Sequence, residues 1–312
     1  MKAVLCTQFG LPDTLQVHEV ANPVVGPKQV VISVAACGVN FPDVLIIQNK
    51  YQFKPQLPFS PGGEVAGIIS EIGHEVEGLA VGQPVLALCG WGGFAEQVAV
   101  DVDRVFPLPE GISPEVAATT LYTYGTSYHA LKDRAQLQAG ETLLVLGAAG
   151  GVGLAAVELG TLMGARVIAA ASTEEKLALC REKGAVETIN YETEDLKTRI
   201  KELTGGRGVD VVYDPVGGKF SDAALRGMAW KGRYLVVGFA NGEIPQLPMN
   251  LPLLKGCSVV GVFWGQFAKL EPKASLQNTR QLLAWIQEGK IRQHVGKRYT
   301  LAEAPQALQD LM

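Results

Sequence analysis

The first part of the chain alternates short apolar runs with glycine and proline, a pattern typical of β-strands joined by turns. Alternating and β-branched residues predict strands within residues 28–39, 64–73, 82–89 and 92–101. No sustained helical spacing precedes Pro114. We therefore predict a β-rich first domain over residues 1–122.

From residue 123 onward, predicted strands alternate with helices. Six apolar runs predict strands at 142–146, 166–170, 187–189, 209–213, 233–237 and 258–263. Helical spacing lies between them, for example over residues 174–183 and 195–203. Strands separated in this way form βαβ units around a parallel sheet. The predicted fold class is α/β, with a Rossmann-type, doubly wound parallel sheet in addition to the β-rich domain.

Composition excludes several kinds of protein. Hydrophobic residues make up 47% of the chain and charged residues 19%, with a net charge of −4, so a sizeable core can form. No cluster of lysine and arginine matches a phosphate backbone, and we expect no nucleic-acid binding. The longest apolar stretch, residues 143–157, is shorter than the roughly 20 residues that cross a bilayer, and we expect no membrane partner.

The five cysteines are scattered along the sequence, at positions 6, 37, 89, 180 and 257. No CxxC, HExxH or other close pairing of metal ligands is present, so we expect no metal site. An odd number of dispersed thiols is typical of a reducing compartment, and the apolar run after Lys2 is too short for a secretion signal. Together these features predict a cytoplasmic protein.

The strongest local signal is a glycine-rich turn between a predicted strand and a predicted helix. It reads GAAGGVG over residues 147–153, a GxxGxxG variant in which Ala148 stands where the strict GxGxxG motif requires glycine. Gly150 lets the backbone approach a pyrophosphate, and Gly153 lets the helix pack against the strand. The helix N-terminus at Gly151 and Val152 directs N–H groups at the anion. We predict dinucleotide binding; the alternative is a tight turn that serves packing alone.

The residues after the second strand of this domain bear on the choice of cofactor. A site for NAD places a carboxylate about 20 residues beyond the last glycine, but Ser172 stands at that distance here. Lys176 follows four residues later and Tyr191 follows the third strand, and the three side chains predict a 2′-phosphate pocket and NADPH. Glu174 and Glu175 count against this, unless they complement the helix dipole.

Several segments together resemble the medium-chain dehydrogenase/reductase superfamily. Within it, the chain resembles the zinc-free NADPH:quinone oxidoreductase branch that includes ζ-crystallin. The segments are ACGVNFPDVL (36–45), KYQFKPQLPFSPGGEVAG (50–67), TYGTSYHAL (123–131), LGAAGGVG (146–153) and DPVGG (214–218). The resemblance implies a GroES-like catalytic domain over 1–122, completed by 266–312, and a dinucleotide-binding domain over 123–265. It also implies a homodimer that pairs through the strand at 258–263.

The resemblance also carries expectations about a metal. Zinc-containing members bind zinc through Cys, His and Cys, whereas this sequence has Asn40, Gly63 and Thr123 at or near those positions. None of the three supplies a thiolate or an imidazole. Chemistry without zinc suits acceptors that need little polarisation, such as a quinone or an alkene conjugated to a carbonyl.

By resemblance, further residues contact the cofactor. Asn40 and Asp43 line its cleft, and Thr126 lies near the nicotinamide carboxamide. The residues that flank the cofactor at the ends of the fifth and sixth strands are Gly238, Phe239, Phe263 and Trp264. Tyr51, with Asn40, is the catalytic candidate: Tyr51 matches a proton donor of related enoyl-thioester reductases, and a role as substrate wall is equally open.

Three functions remain open from the sequence. The leading prediction is an NADPH-dependent reductase of quinones or similar conjugated carbonyl acceptors, without a metal. The second is a 2-enoyl-thioester reductase with Tyr51 as proton donor. The third is a weakly catalytic NADPH-binding protein with a structural or RNA-associated role, which the acidic composition disfavours.

Overall fold

The computed structural model describes residues 1–312, which form two compact units. The first unit comprises Met1–Tyr122 and Arg292–Met312, and the second comprises Thr123–Ile291. The sequence-based boundary at residue 265 differs from this division. Residues 266–291 lie in the second unit because Leu282 and Ile291 are buried in its core.

The first unit is built mainly from antiparallel strands. Its strands are β1 (Lys2–Leu5), β2 (Gln16–Glu19), β3 (Gln29–Gly38), β4 (Glu64–Ile72), β5 (Pro84–Leu88), β6 (Gln97–Asp101) and β7 (Val105–Pro107). Five of them form one sheet in the order β6-β3-β4-β5-β7, while β1 pairs with β2. The α-helices before residue 121 are α1 (Phe41–Ile46) and α2 (Pro114–Ala117), and short 3-10 helices cover Pro12–Thr14 and Val102–Arg104.

The C-terminal residues return to the first unit. The helix Ala304–Leu311 buries Ala304 and Leu308 in an apolar cluster with Val4 and Val44. Burial of these side chains removes apolar surface from water, which holds the segment to strand β1 and helix α1. Loops in this unit position the residues that follow β3 and precede β4, which carry the candidate chemistry.

The second unit contains a six-stranded parallel sheet. Its strands are β8 (Thr142–Val145), β9 (Arg166–Ala171), β10 (Glu187–Asn190), β11 (Val209–Asp214), β12 (Met228–Val236) and β13 (Ser258–Gly261). Its α-helices are α3 (Thr126–Tyr128), α4 (Gly151–Leu162), α5 (Glu174–Glu182), α6 (Leu196–Leu203), α7 (Phe220–Arg226), α8 (Asn250–Lys255), α9 (Trp264–Leu270) and α10 (Pro272–Gln287). π-Helical turns cover Leu121–Gly125 and His129–Arg134.

The strand order β10-β9-β8-β11-β12-β13 confirms the predicted doubly wound sheet. Both faces of the sheet are covered, because alternate residues of β8 enter different cores. Leu143 packs into one apolar cluster and Leu144 into the other. Strand β12 starts at Met228, earlier than predicted, since its first residues pair with Val209 across an irregular register. No helix of the structure combines the length and the apolar character needed to cross a membrane.

Candidate functional site

The glycine turn joins β8 to the N-terminus of α4. Gly147 has φ +55°, which favours glycine, and its carbonyl accepts a hydrogen bond from Gly150 N at 3.0 Å. A Cβ on Gly153 would lie 2.2 Å from the Gly147 carbonyl oxygen, so the helix can pack this closely only without a side chain. A Cβ on Gly150 would meet only that same oxygen, at 3.4 Å. The outer side of the turn is therefore bare backbone.

This arrangement suits an anion. The first N–H groups of a helix have no partner within it and carry the positive end of the helix dipole. The structure brings Gly150, Gly151, Val152 and Gly153 together at this end of α4. The turn is braced from α3, since Ser127 Oγ donates to the Val152 carbonyl at 2.8 Å.

The three residues predicted to select the cofactor lie at the ends of β9 and β10. Lys176 Nζ donates to Ser172 Oγ at 3.1 Å, and Thr173 caps α5 by accepting from Lys176 N at 3.3 Å. Tyr191 N donates to the Ala171 carbonyl at 3.2 Å, which ties the start of that loop to the end of β9. Ser172 and Lys176 thus form one polar pair beside a fixed aromatic residue.

Two acidic residues next to this pair, Glu174 and Glu175, count against binding of the negatively charged 2′-phosphate of NADPH. Glu174 forms an ion pair with Arg181 of the same helix. Arg181 also donates to Thr188 Oγ1 at 3.0 Å. The arginine compensates the negative charge of Glu174, which adds to the helix-dipole interpretation for the first turn of α5.

The ends of β11 and β12 are held by one buried carboxylate, that of Asp214. It accepts hydrogen bonds from Val216 N and Gly217 N, at 2.8 and 2.9 Å, and from the hydroxyls of Ser221 and Tyr234. The Asp214 carbonyl also accepts from the backbone N–H groups that follow β12. This network shapes the loops at the carboxyl edge of the sheet, where open α/β sheets bind ligands.

The residues predicted to flank the cofactor differ in how far they are exposed and in what they contact. Phe239 and Phe263 are 36% and 46% exposed, next to the carboxyl ends of β12 and β13. Trp264 is 7% exposed and packs against Gly125, where a Cβ would lie 2.9 Å from the indole ring. Gly238 N lies 3.3 Å from the Asp214 carbonyl, and Thr126 stays partly exposed at the start of α3.

In the first unit, two buried carboxylates follow β3 and begin β4. Asp43 accepts from Asn40 N at 2.9 Å and from Gly62 N at 3.0 Å. Glu64 accepts from Leu121 N and, at 3.1 Å, from Tyr122 N. Sequence reasoning assigned no role to Glu64, although the Gly-Gly-Glu sequence at 62–64 contains it, and placed Tyr122 only among several aromatic residues near the expected cleft.

Asn40, Asp43, Tyr51, Glu64 and Tyr122 form one cluster in the first unit, and burial has the largest effect on the pKa values of its ionisable groups. It raises the pKa of Asp43 to about 7 and that of Glu64 to about 8, against the lowering effect of the backbone N–H donors. Burial, and then the charge of Asp43, also raise the pKa of the Tyr51 phenol. Tyr51 packs edge-on against Phe53, with ring centroids 5.7 Å apart. The Nδ2 atom of Asn40 is buried without a hydrogen-bond partner of normal geometry.

Comparison with protein families and relatives agrees with both units. Residues 26–110 match the alcohol dehydrogenase GroES-like domain, and residues 151–286 match the zinc-binding dehydrogenase family. The chain is 39% identical over its whole length to quinone oxidoreductase-like protein 2 homolog of Nematostella vectensis, covering 86% of that protein.

Solved structures are similar over the same extent. Escherichia coli quinone oxidoreductase, crystallised with NADPH, is 28% identical, with a TM-score of 0.94 over 100% of this chain and 96% of the other. The quinone oxidoreductase of Thermus thermophilus, also solved with NADPH, is 35% identical, with a TM-score of 0.86 over 100% and 96% of the two chains.

One of the matched families is named for zinc, but the residues here do not fit that ion. No group of three or more His, Cys, Asp or Glu side chains is placed to hold a metal. At Gly63, where a histidine ligand would stand by resemblance, the Tyr122 phenol fills the space: its Oη lies 2.6 Å from the position of a Cβ. A histidine there would overlap the phenol.

Proposed function

The chain belongs to the quinone oxidoreductase-like members of the medium-chain dehydrogenase/reductase superfamily, as its motifs predicted, and we propose that it is an NADPH-dependent reductase of quinones or similar conjugated carbonyl acceptors that works without a metal. The observation that carries this proposal is the Lys176–Ser172 pair at the end of β9, close in sequence to a bare glycine turn. A cation and a hydroxyl suit a 2′-phosphate, which NADPH has and NADH lacks.

The cofactor would be held along the carboxyl edge of the parallel sheet. Backbone N–H groups from Gly150 to Gly153 would receive the pyrophosphate. Ser172, Lys176 and Tyr191 would contact the 2′-phosphate and its adenosine. Relatives solved with NADPH support this choice.

The nicotinamide end would meet residues with exposed surface. We assign this role to Thr126, Gly238, Phe239 and Phe263, whereas Trp264 is better suited to buttress Gly125. When bound, the reduced nicotinamide supplies a hydride. The exposed phenyl rings would exclude water from it and offer a flat apolar wall.

The acceptor would be received by Asn40, Asp43 and Tyr51. The buried Nδ2 atom of Asn40 is a donor that an acceptor oxygen would satisfy. The Asp43 carboxylate fixes the backbone of Asn40, because it accepts a hydrogen bond from the Asn40 N–H. A quinone spreads charge through its π system, so hydrogen bonds can replace the Lewis acid that zinc members use.

The direct test is NADPH oxidation with a panel of acceptors, run in parallel with NADH. We expect turnover of 1,4-benzoquinone and 9,10-phenanthrenequinone with NADPH, slower turnover with NADH, and no loss after treatment with a chelator. Lack of turnover above the uncatalysed rate with every quinone would refute the quinone assignment, and loss on chelation would refute metal independence.

A second candidate is reduction of a 2-enoyl thioester. The half-buried Tyr51 phenol favours it, because a phenol with a raised pKa stays protonated and can donate a proton to a carbanion. Faster turnover of crotonyl-CoA than of quinones, lost in Tyr51→Phe, would select this function over the first.

We also propose a homodimer formed through β13. This strand is an outer edge of the sheet, and apolar side chains are exposed both in it and in the preceding helix α8, with Val259 at 44% and Leu253 at 77%. Unpaired apolar edges favour association. A light-scattering mass equal to one 33.2 kDa chain would contradict the dimer.

The proposal includes a cytoplasmic location. All five cysteines are unpaired, which is typical of a reducing compartment. Cell fractionation with an antibody to the chain tests this, and recovery in a secreted or membrane fraction would contradict it.

A further inference from the structure

We propose that Tyr122 is a further catalytic residue of this enzyme, whose phenol donates a hydrogen bond to the acceptor oxygen that gains negative charge during reduction. The assignment rests on the proposed quinone reductase function. It differs from the role considered for Tyr51, because the two phenols are held in different ways.

The Tyr122 phenol lies where it does because Gly63 has no side chain. If Gly63 had a Cβ, Tyr122 Oη would lie 2.6 Å from it and Tyr122 Cε2 would lie 3.0 Å away. The Gly90 carbonyl closes the same space at 3.1 Å. Glycine at position 63 therefore creates the space that the phenol occupies, at the position where zinc-containing relatives would place a ligand by resemblance.

The backbone of Tyr122 is fixed as firmly as its ring. Glu64, which is fully buried, accepts hydrogen bonds from the N–H groups of Leu121 and Tyr122. Glu64 is the residue directly after Gly63 in the chain. One short segment thus both anchors the tyrosine and makes room for its side chain, whereas Tyr51 lies in a loop beside the exposed Phe53.

The surroundings of the phenol favour donation. Burial, followed by the charges of Asp43 and other neighbours including Tyr51, raises its pKa well above the ordinary value, so the hydroxyl keeps its proton. Tyr122 nevertheless retains some exposed surface. The buried Nδ2 atom of Asn40 makes no hydrogen bond of normal geometry but lies near enough to the Glu64 carboxylate to lower its pKa, and it is a second donor in this cluster. Two donors in one cluster suit an oxygen that becomes an anion.

The Tyr122 phenol is not consumed in the proposed reaction. A quinone gains a hydride, that is two electrons and one proton, and becomes a hydroquinone monoanion; a proton from water then completes the hydroquinone. The phenol shares its proton with the developing oxyanion and keeps it at the end, so no further reactant is needed. A donor preorganised for the charged state stabilises the transition state more than the neutral quinone.

The test compares Tyr122→Phe with the wild type. Phenylalanine keeps the ring that fills the space at Gly63 and removes only the hydroxyl. We expect kcat/KM for 9,10-phenanthrenequinone to fall by about 10- to 100-fold, mainly through kcat, with the NADPH dissociation constant unchanged. The solvent deuterium isotope effect on kcat/KM should also shrink. Tyr299→Phe is the matched control, because its exposed hydroxyl donates to Asp310 at 2.5 Å, away from the cluster.

Each outcome decides the assignment. A fall in kcat/KM of less than tenfold, or an equal fall in Tyr299→Phe, overturns it. A fall accompanied by weaker NADPH binding or a lower melting temperature also overturns it, because the role is then structural. If the wild type itself reduces no quinone, the proposed function fails and this assignment fails with it, whereas an active wild type and an equally active Tyr122→Phe remove only the assignment.

Discussion

Replacing Lys176 by alanine should remove the preference for NADPH without harming the fold. The ammonium of Lys176 and the hydroxyl of Ser172 converge at 3.1 Å, so both can contact one phosphate. A phosphate monoester carries a charge of about −1.5 to −2 near neutral pH. NADH has only a hydroxyl at that position, so its binding should not depend on the lysine.

The size of the effect follows from the position of the lysine. Two unit charges 4 Å apart attract by about 4 kcal/mol at an effective dielectric constant of 20. Lys176 is exposed, so screening reduces this toward the roughly 1.5 kcal/mol at the lower end for a charge-assisted hydrogen bond. We therefore expect Lys176→Ala to weaken NADPH binding about 10- to 30-fold. The affinity for NADH should change less than twofold, which is on the order of the small free-energy change that substitution of an exposed residue usually causes.

Calorimetric titration with 2′,5′-ADP and 5′-AMP measures the phosphate contribution without reference to catalysis. Lys197→Ala is the control, because it removes an equal charge from another exposed position, on α6. Equal losses of affinity for both nucleotides, or the same loss in the control, would contradict a contact between Lys176 and the 2′-phosphate, since net charge would then explain the effect. The difference between the wild type and Lys176→Ala in affinity for 2′,5′-ADP should also decrease as the salt concentration is raised.

Three further predictions concern stability. Gly153→Ala should lower the unfolding free energy by about 1–3 kcal/mol in denaturant titration and abolish NADPH binding, because its Cβ would overlap the Gly147 carbonyl at 2.2 Å. Asp214→Ala should lower the unfolding free energy by about 3–5 kcal/mol, because it leaves four hydrogen-bond donors without their acceptor. Asp222→Ala, which removes only an exposed ion pair, should lower the unfolding free energy by less than about 1 kcal/mol. Equal losses in the two variants would contradict this prediction. Because the pKa of Glu64 rises from 4.5 to about 8, the folded chain binds more protons than the unfolded chain in that range. Stability should therefore fall with rising pH by up to about 1.4 kcal/mol per unit, and melting curves of Glu64→Gln should show a smaller fall.

Much of the second unit could be predicted from neighbouring residues. The alternation of strands and helices predicted the parallel sheet, and strand β8 divides its leucines between two cores as period-two packing requires. The turn at Gly147–Gly153 was recognisable because steric contacts between residues close in sequence demand glycine there. Ser172 and Lys176 were predictable as a pair because four residues are about one turn of a helix.

Features that depend on distant segments were beyond such reasoning. Residues 266–291 were predicted to complete the first domain, whereas they pack with the second unit, because helical spacing shows that a face is apolar but not which core receives it. The compensation of Glu174 by Arg181 depends on rotamers two turns apart. The packing of Trp264 against Gly125, which buries the indole ring, also joins residues far apart in the sequence and could not be predicted from local pattern.

Local periodicity and residue chemistry were sufficient to predict a dinucleotide-type α/β unit and a β-rich partner unit, and the family resemblance indicated that Asn40 and Gly63 stand where zinc-containing members have ligands. Only the tertiary structure brought Glu64 to the backbone of Tyr122, which lies 58 residues further along the chain, and set that phenol in the space left by Gly63. Such contacts depend on how the first unit closes on itself, where burial and hydrogen bonding join segments that have no common sequence pattern.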